Sequence, residues 1–236
     1  DNDLDVMTRS MQINLNVIDA VRTYNIPKIF YSSSACVYSE DKQIDRFNID
    51  CRESAAYPAN PDSNYGWEKL FSERLYTNLH KHTNTEVRIA RFHNTYGPSS
   101  SYNNGREKAP AALCRKVAEC ADGGSIDVYG SGEQVRSFNY ISDCLDAIED
   151  LMLSDYSAPI NIGSDFTISI NDLTKKIIAI SGKSITINNI DVPQTGVIAR
   201  NSHNELFDRV VGTARKVALP DGLKKLYLWV DSRVNI

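Results

Sequence analysis

The sequence has no apolar run long enough to cross a bilayer. It has no excess of positive charge. Its formal net charge is -4 and its pI about 5.6, with 24% charged residues. Phosphate-backbone binders carry a basic footprint, so this balance argues against a nucleic-acid partner. The five cysteines (Cys36, Cys51, Cys114, Cys120, Cys144) are odd in number and irregularly spaced, with no CxxC pair. That excludes a disulfide framework and favours a reducing, cytoplasmic setting. The four histidines do not join them at zinc-ligand spacing, so no metal site is expected. The acidic start DNDLDVM is not a signal peptide. Internal repeats and low-complexity stretches are also lacking.

What is there is an ordinary globular composition, 42% hydrophobic over 236 residues. Residues 4–25 carry Met7, Met11, Leu15, Ile18 and Val21 at helical spacing. KIFYSSS follows Pro27 as a short strand. Residues 39–63, with Pro58 and Pro61, read as a long loop. NYGWEKLFSERLYTNLHKH (64–82) is an amphipathic helix, and EVRIARF (86–92) a strand. Pro110 suits the first turn of a helix through about residue 121. Short strands follow near IDVYG and QVRSFNYI, then a helix from about Ser142 with Asp143 in its first turn. PINIG and ITINNI read as strands, SINDLTKKIIAISG as a helix ended by Gly182, and two short helices close the chain.

Strands alternating with helices predict an α/β fold with a parallel sheet and a smaller C-terminal lobe. One element is missing. A nucleotide-binding sheet opens with a strand, a glycine-rich turn and a helix. Here the chain opens on a helix, and GSG at Gly130–Gly132 reads as a hairpin turn. The chain is therefore expected to begin inside its first domain. Residues 1–109 would be the C-terminal part of an NAD-binding domain. Residues 110–236 would be mainly a substrate lobe, interleaved with strands returning to the first domain.

Three YxxxK spacings occur. Tyr24/Lys28 spans a proline and Tyr38/Lys42 lies in a polar loop. Only Tyr65/Lys69 sits on a predicted helix, where residues four apart share a face. An ammonium beside a phenol favours the phenolate, so Tyr65 can act as acid or base. Ser34 ends the strand before that helix, the edge at which ligands of open α/β sheets collect. In isolation Ser34 reads equally as a turn cap, Cys36 as a buried thiol and Lys108 as a solvated loop lysine.

Taken in order, YSSSACVY, NYGWEK, RFHNTYGP, GREKAPAALCRK, QVRSF, NIGSD and ARNS resemble the extended short-chain dehydrogenase/reductase family, and within it the GDP-mannose 3,5-epimerases. The resemblance implies a nucleotide-binding parallel sheet, here without its N-terminal strands. It implies a tightly held NAD contacted by Tyr65 and Lys69, and a homodimer. It implies that Tyr65, with Lys69 and Ser34, oxidises the sugar at C4. Cys36 and Lys108 would then be an acid/base pair that inverts neighbouring carbons. Ser34, Ala35, Cys36, Asn94, Glu107, Lys108, Ala109, Lys116, Gln134, Arg136 and Arg200 would contact the nucleotide sugar, the arginines suiting its diphosphate. The alternatives are another nucleotide-sugar epimerase, a 4,6-dehydratase, or a non-catalytic nucleotide-sugar binding chain. A dehydratase would want an acidic pair where this chain has Ala35 and Cys36.

Overall fold

A computed structural model describes residues 3–192, 196–212 and 216–235. Helix α1 (Asp3–Thr23) has Asp3 and Asp5 in its first turn and Arg22 in its last, charges that complement the helix dipole. Strand β1 (Lys28–Ser34) follows. Ser63 then caps α2 (Asn64–His82), its hydroxyl accepting from the Gly66 amide at 3.1 Å. Strand β2 (Glu86–Phe92) runs parallel to β1, with Ser34 level with Phe92. The β1–α2–β2 unit predicted from pattern is therefore present with the predicted boundaries.

Strand β3 (Thr95–Tyr96) leads to α3 (Ala109–Glu119), which has Pro110 in its first turn. Next come β4 (Ser125–Tyr129), β5 (Val135–Ser137), β6 (Asn139–Tyr140) and α4 (Ile141–Leu153). Strand β7 (Pro159–Ile162) returns to the first sheet and pairs parallel with β2, giving the order β1-β2-β7. The remaining elements are β8 (Thr167–Ser169), α5 (Ile170–Ser181), β9 (Thr186–Ile190), β10 (Ala199–Arg200), α6 (Glu205–Val210) and α7 (Leu219–Val234).

Strand β2 is central and buried on both faces. Val87 and Ile89 pack with Tyr31, Tyr76 and Leu79 on one side, and Ala90 packs with Leu151, Ile160 and Ile162 on the other. Both arginines of EVRIARF, Arg88 and Arg91, are buried with it and find partners in Glu86 and Ser154 and in Glu73. A second core lies between α3, α5 and α7, built on Val117, Leu173, Ile177, Leu223, Leu226 and Val230.

Three expectations change. Gly130 and Gly132 take positive φ, as turn glycines do, yet they form no hairpin. They join β4, which pairs parallel with β9, to β5, which belongs to the β10-β5-β8 sheet. Each flanking strand found a partner distant in sequence, which local turn chemistry does not encode. The loop 39–63 contains two short 3-10 segments, Glu40–Lys42 and Glu53–Ala56. The last helix, α7, is long: 16 residues, held by its apolar face against α3 and α5.

Candidate active site

An open cleft of about 440 Å³ lies at the carboxyl ends of β1 and β2. Its walls bring together Ser34, Ala35, Cys36, Tyr65, Lys69, Asn94, Lys108 and Arg200, eight of the positions singled out from sequence. Ser34 ends β1, and its Oγ accepts from the Cys36 amide at 3.2 Å, which tightens Ala35–Val37 into a 3-10 turn. The turn-cap reading of Ser34 is therefore correct. It does not exclude a second role, because a hydroxyl that accepts keeps its own proton to donate.

The first turn of α2 rests directly on this segment. A Cβ placed on Gly66 would lie 2.1 Å from the Cys36 carbonyl oxygen and 2.9 Å from Pro61 Cβ. Only glycine lets the helix carrying Tyr65 approach the turn carrying Cys36 so closely.

The Lys69 ammonium donates to the Ser32 carbonyl at 3.0 Å and lies 5.5 Å from the Tyr65 ring centroid and 5.1 Å from that of Tyr31. The expected depression of Tyr65 by Lys69 is not what the protein alone provides. Burial pushes the Tyr65 phenol up; a Cys36 charge would push the same way, and the Ser34 hydroxyl pulls down. Burial likewise pulls Lys69 down, with Glu68 opposing. Desolvation outweighs the single nearby cation.

Cys36 is half-buried and lies outside the core clusters. Arg200 Nη1 lies 3.4 Å from its Sγ, while the rest of that guanidinium bonds Gln43 and Asp62. Arg200 is thus packed against the thiol rather than holding a free fork for a diphosphate. Gln43 and Asp62 carry no motif signal, being residues of an irregular loop. Lys108 enters from another direction, as the exposed residue before α3, with its carbonyl accepting from Ala111 and Ala112.

Glu107, Ala109, Lys116, Gln134 and Arg136 do not line this cleft. Ala109 opens α3. Lys116 Nζ donates to the Asp127 carbonyl at 2.6 Å. Arg136 donates to the carbonyls of Val135, Val197 and Ile198, and burial holds it down to about 10. One Glu107 oxygen meets Arg115 at 3.4 Å; the other, and Gln134 Oε1, are buried without a partner.

Behind the cleft a buried ion pair sets the strand-end geometry. Arg91 Nε and Nη2 bond Glu73 at 2.9 and 2.7 Å, and the same carboxylate accepts from Ser33 Oγ at 2.5 Å. Arg91 Nη1 reaches the Glu53 carbonyl at 2.7 Å and Tyr38 Oη at 3.3 Å. One guanidinium therefore ties down both flanks of the segment holding Ser34, Ala35 and Cys36. The signal was visible: two arginines, Arg88 and Arg91, within the strand EVRIARF must have partners when the strand is buried.

Residues 1–163 match the NAD dependent epimerase/dehydratase family. The chain belongs to that family. It is 40% identical over 230 residues to the GDP-mannose 3,5-epimerase of Arabidopsis thaliana, covering 98% of this chain and 60% of that enzyme. A UDP-glucuronic acid decarboxylase 1 of Xenopus tropicalis is 30% identical over 168 residues, 71% of this chain and 39% of that protein. The chain thus spans about 60% of the length of the plant relative. In fold it is similar to the UDP-N-acetylglucosamine 4-epimerase from Methanobrevibacter ruminantium, with a TM-score of 0.84 at 23% identity over 95% of this chain and 69% of that one. The parallel β1-β2-β7 sheet shares the α/β fold of that structure.

The residues present fit the nicotinamide end of NAD. Lys69 spends one of its three donors on Ser32, leaving two for ribose hydroxyls beside the Tyr65 phenol. Among the described residues no strand–glycine turn–helix unit holds a pyrophosphate.

Proposed function

We propose that the protein carries out NAD-dependent epimerisation of a nucleotide sugar, converting GDP-mannose to GDP-L-galactose through a 4-keto sugar. The observation that carries this reading is the convergence of Cys36 and Lys108, from separate parts of the chain, on the cleft of Tyr65 and Lys69. Bound NAD would supply the hydride acceptor and return the hydride at the end. Tyr65 takes the proton of the C4 hydroxyl, which Ser34 orients. Lys69 would hold the cofactor's ribose, and the Ser34 hydroxyl is the neighbour that favours the phenolate of Tyr65. The ketone acidifies the C–H groups at C3 and C5. Cys36 removes one such proton and Lys108 delivers another from the opposite side, which inverts the carbon. The Arg200 guanidinium donates to Cys36 Sγ at 3.4 Å and holds the side chain in place in the cleft.

Glu107 and Gln134, with their orphan acceptors, together with Ala109, Lys116 and Arg136, bind the nucleotide part across the lobe that begins near residue 110. Two copies of the chain pair through α1 and α2, where Ile13, Trp67 and Phe71 stand exposed. Among the described residues no helix is long and apolar enough to cross a membrane, and the five thiols are free, which suits the cytoplasm.

The decisive experiment incubates the protein with NAD and GDP-mannose in heavy water and follows the sugar by NMR. Deuterium enters at C3 and C5 if the reading is correct; a sugar recovered without deuterium would sink it. The Cys36→Ala variant should still oxidise C4 transiently while losing exchange by at least about a hundredfold.

A further inference from the structure

Arg200 belongs to β10, in the β10-β5-β8 sheet, and meets Cys36 just past the end of β1. Its three nitrogens have three different partners. Nε donates to Gln43 Oε1, Nη2 to Asp62 Oδ2, and Nη1 to Cys36 Sγ at 3.4 Å. A guanidinium is a rigid plane. Holding Nε and Nη2 fixes that plane, and with it the point at which Nη1 meets the sulfur.

Both anchors are themselves held. Gln43 is fully buried, and its Nε2 donates to the carbonyls of Tyr38 at 3.2 Å and Ser39 at 3.1 Å. Its amide oxygen is therefore the end that faces Arg200. The Gln43 carbonyl also accepts from the amide of Ala199, the residue before Arg200, at 3.0 Å. The other Asp62 oxygen accepts from Ser63 Oγ at 3.0 Å, the hydroxyl that caps α2. The Asp62 and Arg200 side chains are only 13% and 11% exposed, so solvent screens the pair little.

The consequence for Cys36 is directional. A guanidinium offers only donors, so Sγ meets it with a lone pair and the thiol hydrogen points elsewhere. Without its anchors Arg200 could turn to any anion in the cleft. Cys36 would keep its amide bond to Ser34 but lose the contact that orients its sulfur.

We infer that Asp62 and Gln43 are positioning residues for Cys36: they fix the plane of Arg200, and through it the direction in which the thiol exchanges a proton with the sugar carbon. This rests on the epimerase reading of the cleft. Neither residue lines the cleft, so each acts through Arg200. Their effect falls on proton exchange at C3 and C5 and not on oxidation at C4, which uses Tyr65 and Ser34.

The test follows both half-reactions with NAD and GDP-mannose in heavy water: transient bound NADH by absorbance, and deuterium at C3 and C5 by NMR. Asp62→Ala should slow deuterium entry by about tenfold to a hundredfold, the scale of a misplaced reacting group. NADH formation and KM for GDP-mannose should change by less than about twofold. Asp62→Asn, which keeps an oxygen acceptor at the same reach, should recover most of the exchange. Should Asp62→Ala fail to fold, the same ratio is read from Asp62→Ser, whose hydroxyl keeps the site polar but falls short of Arg200. Exchange that is undiminished in these variants overturns the inference. So does an equal loss of exchange and NADH formation, the mark of a merely structural ion pair. Both results leave the epimerase reading standing, because the unsubstituted protein still exchanges. An unsubstituted protein that takes up no deuterium brings down both.

Discussion

Replacing Gly66 by alanine sets two effects against each other. Inside a helix alanine is better than glycine by about 0.8–1.0 kcal/mol. At this position φ is not in the left-handed region, so that gain would be fully available. Against it stands the 2.1 Å separation between the new Cβ and the Cys36 carbonyl oxygen. A carbon–oxygen contact settles at about 3.3–3.6 Å, so the two backbones must part by about 1.2 Å or more. No rotamer change relieves the clash, because both partners are main chain. Overpacking of this kind costs about 1–3 kcal/mol and occasionally more. The clash offsets or outweighs the propensity gain, and the net expectation is a loss of about 0–2 kcal/mol. For a chain of this size each kcal/mol lowers Tm by about 2–4 °C. Turnover should suffer more than stability, because the shift separates Tyr65 from Cys36, and a displacement of about 1 Å costs about a hundredfold. Thermal unfolding and heavy-water exchange measure the two quantities. Gly182→Ala is the control: φ is +71° and nothing lies within 4 Å of its Cβ, so it should cost about 1–2 kcal/mol of local strain and leave exchange intact. A Gly66→Ala protein with unchanged Tm and exchange would refute the close-approach argument.

Further expectations follow from the buried groups. Arg91→Leu leaves Glu73 charged and unpaired in the interior and should cost about 3–5 kcal/mol in urea unfolding, with part recovered when Glu73→Leu is added. His93 titrates near 3 when folded and near 6.5 when unfolded, so the unfolded chain binds the proton first as pH falls. The stability this contributes is complete above about pH 6.5 and is lost progressively toward pH 3; about 2–3 kcal/mol should be gone at pH 4.5, and His93→Gln should remove that slope in urea titrations. Burial pushes the Cys51 and Cys114 thiols up to about 12, so iodoacetamide at pH 8 should label Cys36 and Cys120 well before either, as read by peptide mass spectrometry.

The β1–α2–β2 unit was legible because its signals are local. KIFYSSS and EVRIARF are short segments rich in β-branched and aromatic residues, the first set off by Pro27, and NYGWEK opens a capped amphipathic helix. The Tyr65/Lys69 pair could be chosen over Tyr24/Lys28 and Tyr38/Lys42 for the same reason, since only it has a helical face. The GSG turn was misread because β4 and β5 pair with strands far away, and strand partnership is not a local property.

The sequence by itself determined the α/β class, the helix and strand that carry Tyr65 and Ser34, and, through its ordered motifs, the family. These rest on periodicity, caps and residue identity, which are written along the chain. Only the tertiary structure decided that Arg200 sits on Cys36, that Gly66 is the point of close approach between α2 and the Cys36 segment, and that Arg91 anchors both ends of the strand-end segment. It also decided the environment of His93, buried with its Nε2 against Asn161 of β7. Burial and hydrogen-bond partnership depend on residues brought together by packing. Those two quantities set whether a thiol, an imidazole or a phenol in this cleft can move a proton.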